Sequence, residues 1–146
     1  MRLKGIDPLL SPELLHVLAS MGHGDDLAIV DANHPAETIA ANTVTGRLIR
    51  LPGIRVEAAA TAVLTLLPLD DFTDDPVRFM QVVDKPEEVP PAMADLRGAI
   101  RSAGYAGRFV SLERFAFYGA ARAAFGIVQC GDARFYGNVL LRKGAI

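Results

Sequence analysis

The chain has 146 residues, a formal charge of −2 and a 51% share of hydrophobic side chains. That length suits one domain, read here as residues 1–146, with a core large enough to need no disulfide staples. The near-neutral charge argues against a nucleic-acid surface, and the single cysteine, Cys130, excludes an intrachain disulfide.

Arg2 and Lys4 resemble the start of a signal peptide, but Asp7, Pro8 and Glu13 interrupt any apolar core behind them. The longest apolar stretch, roughly 58–67, is too short and too threonine-rich to span a bilayer. A soluble, cytoplasmic protein with no membrane partner is expected. Residues 70–95 carry eight acids against Arg78 and Lys85, whereas residues 97–146 carry eight bases against Glu113 and Asp132. The bases are dispersed, which reads as a mixed solvated surface and not as a binding stripe. The apolar share is high for a small monomer, and surplus apolar surface is commonly buried between subunits, so an oligomer is expected.

In chain order, Ser11-Pro12-Glu13 marks a helix start: a capping hydroxyl, a proline suited to the first helical position and an acid at the positive helix end. Leu14, Leu15, Leu18 and Met21 follow at helical spacing, and Gly22 is expected to close the helix in a left-handed conformation. The run 27–30, Leu-Ala-Ile-Val, predicts a buried strand with Asp31 at its carboxyl end. Residues 32–42 read as a loop and 46–51 as holding a short strand. Residues 56–67 predict a helix ended by Pro68, and the acidic stretch 70–76 a loop. A second buried strand is expected over 79–83, followed by a proline- and acid-rich loop over 85–91. A helix over 92–103 stops at Gly104. A short strand over 109–112, a helix over 115–125 and a strand over 127–130 follow. Gly131-Asp132-Ala133-Arg134 reads as hairpin turn material leading to a last strand over 136–141. The alternation predicts an α/β three-layer sandwich, a mostly parallel central sheet with helices on both faces and an antiparallel C-terminal hairpin.

His23 stands between Gly22 and Gly24, which leaves its ring open to a ligand; imidazole is also the side chain whose charge changes near neutral pH. The acids beside it, Asp25 and Asp26, read as a solvated turn. Asp31 lies where open α/β sheets gather ligands, outside the carboxyl end of a strand. It can bind hydroxyls or simply cap a loop. His34 precedes Pro35 in a presumed extended loop, as a ligand contact or an exposed ring. His16 reads as surface or interface. Arg114, at a strand-to-helix junction, offers a rigid fork of donors, or a salt bridge with a nearby acid. Phe115, Phe117 and Phe125 read as core. In Phe135-Tyr136-Gly137-Asn138, Gly137 permits close approach while Tyr136 and Asn138 bring a phenol and an amide able to bind hydroxyls. Cys130 reads as an inert buried thiol. GxGxxG, Walker, HExxH and GxSxG motifs are absent, and His16, His23 and His34 with the nearby aspartates match no standard metal-ligand spacing.

Residues 26 to 31 in a straight strand span about 16 Å. His23 and Asp31 of one chain therefore share a small ligand only if 23–26 folds back, or if neighbouring subunits complete the site.

Taken together, these segments resemble the family of ribose pyranases and fucose mutarotases. The matching blocks are Leu9-Leu10-Ser11-Pro12-Glu13-Leu14-Leu15, Met21-Gly22-His23-Gly24-Asp25, Asp31-Ala32-Asn33-His34-Pro35, and Arg114-Phe115-Ala116-Phe117-Tyr118 with Tyr136-Gly137-Asn138 and Lys143-Gly144. The resemblance runs nearly end to end, is weakest between about 40 and 107, and fits the fucose branch best through Arg-Phe-Ala-Phe-Tyr. It implies an isomerase that interconverts the anomers of a free reducing sugar, L-fucose first, without cofactor or metal. It further implies ring-shaped homo-oligomers, often decamers, with sites between subunits. By position, it implies a proton donor at His23 and sugar-binding roles for Asp31, Arg114, Tyr136, Gly137 and Asn138. Tyr136, or a water held by Asp31, is the candidate second proton-transfer group. Where relatives often place an aromatic before the proline, this chain has His34. D-ribose pyranase activity and non-catalytic sugar binding are the alternatives.

Overall fold

The computed structural model, which describes residues 2–146, begins its regular structure with helix α1 (Pro12–Ser20). The Ser11 hydroxyl accepts from the Leu14 N–H at 3.2 Å, the cap that the sequence pattern predicts. The helix ends differently from expectation. Met21 is extended (φ −65°, ψ 138°) and buried, and its N–H reaches the Val17 carbonyl. Gly22 therefore takes no left-handed cap; the positive φ, +91°, falls at Gly24. The Asp25 carboxylate closes this turn by accepting from the Gly22 N–H at 2.8 Å.

Strand β1 (Asp26–Val30) then enters the core, followed by α2 (Ala36–Ala40), β2 (Leu48–Leu51), α3 (Val56–Leu64), β3 (Val77–Met80), α4 (Pro91–Ser102), β4 (Val110–Leu112), α5 (Arg114–Arg122), β5 (Gly126–Cys130) and β6 (Val139–Arg142). The order across the sheet is β2-β5-β1-β6-β3-β4. β6 runs antiparallel to β1 and β3, while the other pairs are parallel. The mixed α/β sheet covered on both faces is as expected.

Alternation along β1 divides the core. Leu27 and Ile29 face α1, α3 and α4, with Phe79 fully buried among them; Ala28 and Val30 face α2 and α5, with Phe117 at the centre. Burying a phenylalanine of this kind contributes about 1.5–3 kcal/mol.

Three expectations need correction. The C-terminal hairpin does not form: β5 already pairs with β2 and β1 on its two edges, so β6 crosses over β1 and pairs on its far side. Residues 32–42 are not wholly loop, because Ala36, Ile39 and Ala40 bury one face of the five-residue helix α2. The second buried strand lies earlier than predicted, at 77–80. Its antiparallel partner β6 begins opposite Phe79, at Val139, and the chain beyond Met80 turns through Asp84, which has φ +63°.

Candidate active site

The crossover of residues 131–138 across the end of β1 builds the site. Its backbone is tied to the strand end by the Ala32 N–H bonding the Asp132 carbonyl at 2.9 Å. The crossover thereby brings Tyr136, Gly137 and Asn138 to Asp31. The Asp31 carboxylate, 2% exposed, accepts from the Gly137 N–H at 2.9 Å and from the Asn33 N–H at 2.9 Å. The Asp31 N–H donates to Asn138 Oδ1 at 3.2 Å. Burial pushes the Asp31 pKa up, against the lowering effect of the Gly137 and Asn33 amides. Asp31 is thus both a loop clamp and a wall of the site, since each carboxylate oxygen keeps a lone pair beyond its backbone bond.

Gly137 is closely packed: a Cβ there would sit 3.2 Å from a Val56 methyl and 3.4 Å from Ala92, so those neighbours would have to give by a few tenths of an ångström. Its bare backbone lets the crossover lie against α3 and α4. Tyr136 takes a left-handed backbone, φ +62°, which costs a non-glycine residue on the order of 1–3 kcal/mol and is characteristic of functional positions. Its hydroxyl accepts from the Val83 N–H at 3.1 Å, so its own proton remains available for donation.

Asp31, Tyr136 and Asn138 line a cavity of about 290 Å³, with Arg114 and Tyr118 from α5 and with Met80, Val83 and Phe135; Gly137 stands behind Asp31 and is not part of the lining. Arg114 sits at the start of α5, where the Glu113 carboxylate caps the first amides. It makes no ion pair among the described residues. Its Nε donates to the Tyr118 hydroxyl at 3.2 Å, and its guanidinium lies 5.3 Å from the Phe115 ring centre. The exposed fork is free for an oxygen-rich ligand. Phe115 is 68% exposed and so is not core, whereas Phe117 is. Two larger clefts, of about 720 Å³ beside residues 103–108 and about 940 Å³ between α1 and β2, lack this convergence of buried polar groups.

His34 is not an exposed loop ring. It is 6% exposed, forms part of the same cavity wall, and meets Phe117 and Tyr118 edge-on at 5.7 and 5.2 Å.

His23 lies elsewhere. Residues 23–26 do not fold back, so β1 separates its ring from Asp31 within one chain. Its Nε2 is 3.0 Å from Asp70 Oδ1, and Phe72 packs on it edge-on at 4.9 Å. Asp70, buried in the turn after α3, also accepts from the Phe72 N–H at 3.0 Å; this bond, then His23, holds its carboxyl below the usual range. Asp70 is a residue the sequence reading missed. The signal was the buried-versus-exposed ambiguity of Asp70-Asp71 at the edge of an acidic loop, which no local pattern resolves. Asp26 is likewise no solvated turn residue: it pairs with buried Arg78 and with Arg142.

His16 is exposed on α1, and Cys130 is buried with its thiol pushed up to about 12, mainly by burial. No helix among the described residues is long and apolar enough to cross a membrane, and no cluster of three metal-ligating side chains occurs among them.

The sequence model of the RbsD / FucU transport protein family matches residues 4–146. Human fucose mutarotase is 40% identical over 99% of this chain and 94% of its own length. Among solved structures, the fucose mutarotase of Streptococcus pneumoniae in complex with L-fucose superposes with a TM-score of 0.88 at 34% identity, covering 99% of each chain. Bacillus subtilis RbsD complexed with D-ribose shares the fold, with a TM-score of 0.72 at 19% identity over 100% of this chain and 99% of that one.

Proposed function

We propose that this chain, which belongs to the RbsD / FucU family, is a sugar mutarotase: an isomerase that interconverts the α and β anomers of a free reducing monosaccharide, L-fucose first among candidates. The observation that carries the reading is the convergence of Asp31, Arg114, Tyr136 and Asn138 on one small cavity at the carboxyl end of β1, with the Gly137 N–H holding the Asp31 carboxylate from behind. Such a set suits a hydroxyl-rich ligand, because it mixes carboxylate, guanidinium, phenol and amide within reach of one another. The relatives named fucose mutarotase support the choice of reaction and of sugar.

Mutarotation opens the hemiacetal and closes it on the other face. One group takes the anomeric hydroxyl proton and another protonates the ring oxygen. Tyr136, with its O–H free to donate, supplies one of these. His23 supplies the other on this reading, with Nε2 held by Asp70 and Nδ1 left for proton transfer. Arg114 and Asn138 fix remote hydroxyls, so binding energy goes into orientation.

On this reading His23, set apart from the cavity of its own chain, serves the cavity of a second copy. Exposed Phe72 beside it, and exposed Phe115, Phe135 and Val83 around the cavity, are the apolar surfaces such a contact would bury. A contact between two different patches is heterologous and gives a ring where the rotation between copies closes; the proposal takes that form, a ring-shaped homo-oligomer of a single-domain chain with sites between subunits.

The test is NMR saturation-transfer exchange between L-fucose anomers, with D-ribose alongside. His23→Ala should lose about 10²–10⁴-fold in rate. Mixing unfolded-and-refolded His23→Ala with Asn138→Ala chains should restore roughly a quarter of the sites, the share expected when each site draws on two randomly paired subunits. A mixture as inactive as its parents would refute the shared site. Sugar binding without exchange would identify a binding protein, and acceleration of ribose alone a pyranase.

A further inference from the structure

The least satisfied group in the cavity is His34. Neither of its ring nitrogens, Nδ1 or Nε2, has a hydrogen-bond partner, although the side chain is more than nine-tenths buried. The neighbours explain why. Phe117 and Tyr118 pack on it in T-shaped contacts, and Asn138, whose side chain partly offsets the effect of burial on the ring, has its carbonyl on the Asp31 N–H and one amide hydrogen on the Met80 sulfur at 3.9 Å. Buried polar atoms are almost always paired, and an exception needs an explanation, of which a ligand that binds there is one. The ring forms part of the cavity wall, so a ligand seated there is the partner within its reach.

We propose that His34 is a specificity-determining residue of this chain: it hydrogen-bonds one hydroxyl of the bound sugar, and the cavity discriminates against an analogue lacking that hydroxyl. Burial lowers the His34 pKa to about 4, so the ring is neutral near pH 7. A neutral imidazole offers one donor and one acceptor, the same pair that a hydroxyl offers in return. That hydroxyl meets one of the two nitrogens; a methyl or hydrogen at that point would leave that nitrogen unpaired, and sites built to bond a hydroxyl reject the deoxy analogue strongly. The inference rests on the reading of the cavity as a monosaccharide site.

The experiment compares L-fucose, its 2-, 3- and 4-deoxy analogues and its 6-hydroxy counterpart L-galactose. Both anomer exchange and calorimetric Kd are measured, on the native protein, His34→Phe and His34→Gln. Phenylalanine keeps the ring shape and removes both nitrogens; glutamine keeps a donor and an acceptor. In the native protein, one hydroxyl difference in the series should change Kd and kcat/KM by about 10- to 100-fold. In His34→Phe that one ratio should collapse to within about threefold while the others hold, and in His34→Gln it should be retained in part. Identical ratios across the series in native protein and His34→Phe would overturn the inference. Discrimination in Kd without any exchange would keep the role of His34 and remove the mutarotase reading. Absence of both binding and exchange would remove both.

Discussion

The buried, neutral state of His34 makes a stability prediction that needs no ligand. Burial lowers its pKa from the ordinary 6.5 to about 4. The folded ring therefore resists a proton that the unfolded chain accepts. The sign follows: stability is full above pH 6.5 and is lost as the pH falls towards 4, because the unfolded state binds more protons in that window. Linkage sets the whole loss at about 3 kcal/mol, of which about 2 kcal/mol is felt by pH 5. Urea unfolding of the native protein and His34→Phe at pH 7 and pH 5, at fixed protein concentration, isolates it. His34→Phe should gain about 2 kcal/mol on the native protein between the two pH values. Other groups cancel in the difference. Asp132, held at about 2 chiefly by Arg134, stays ionised throughout the window, and Asp31 is present in both proteins. A difference constant to within about 0.5 kcal/mol would show that the ring takes up its proton in the folded state, and the burial argument would fail.

Asp31→Ala should destabilise the chain by roughly 2–5 kcal/mol in urea unfolding. It strands two backbone donors, on Asn33 and Gly137, each worth about 1–3 kcal/mol when buried and unpaired. Asp31→Asn, which keeps a carbonyl oxygen, should cost less; equal costs would show that the clamp is not what Asp31 supplies. Asp70→Asn should leave the fold intact and lower kcat about tenfold with KM within about twofold, because it removes the charge that orients the His23 ring without touching the cavity. A change confined to KM would place Asp70 outside the proton transfer.

What could be read from the sequence was whatever local rules decide. The Ser11-Pro12-Glu13 cap, the apolar run of β1 and the place of Asp31 at its end all follow from nearest-neighbour chemistry. Gathering of Arg114, Tyr136, Gly137 and Asn138 near Asp31 was legible through the family resemblance and the strand-end rule. What stayed hidden depends on partners distant in sequence. Which edge β6 takes is set by β5 having both edges filled, a fact of the whole sheet and not of residues 131–138. Asp26 looked solvated because Arg78 and Arg142, its partners, are 52 and 116 positions away. His34 stood between a ligand contact and an exposed ring because Pro35 suggests an extended loop, while Phe117 and Tyr118, which pack on it, arrive with α5.

The failed hairpin and the separated histidine have one physical origin. β6 leaves β5 and crosses the carboxyl end of β1, so every residue it carries across collects at that end, beside Asp31. His23 enters β1 from the amino end and is fixed there by Asp70. A strand of five residues spans about 16 Å, more than a monosaccharide bridges, and nothing in a hydrogen-bonded central strand can shorten it. On the proposed reading, the same rigidity that keeps the two halves of the site apart in one chain gives each copy a histidine end and a cavity end. Two such ends are complementary only between copies, each carrying exposed aromatic rings, Phe72 at one and Phe115 and Phe135 at the other. Catalysis and assembly would then be one event, with activity lost wherever the contact between copies is lost.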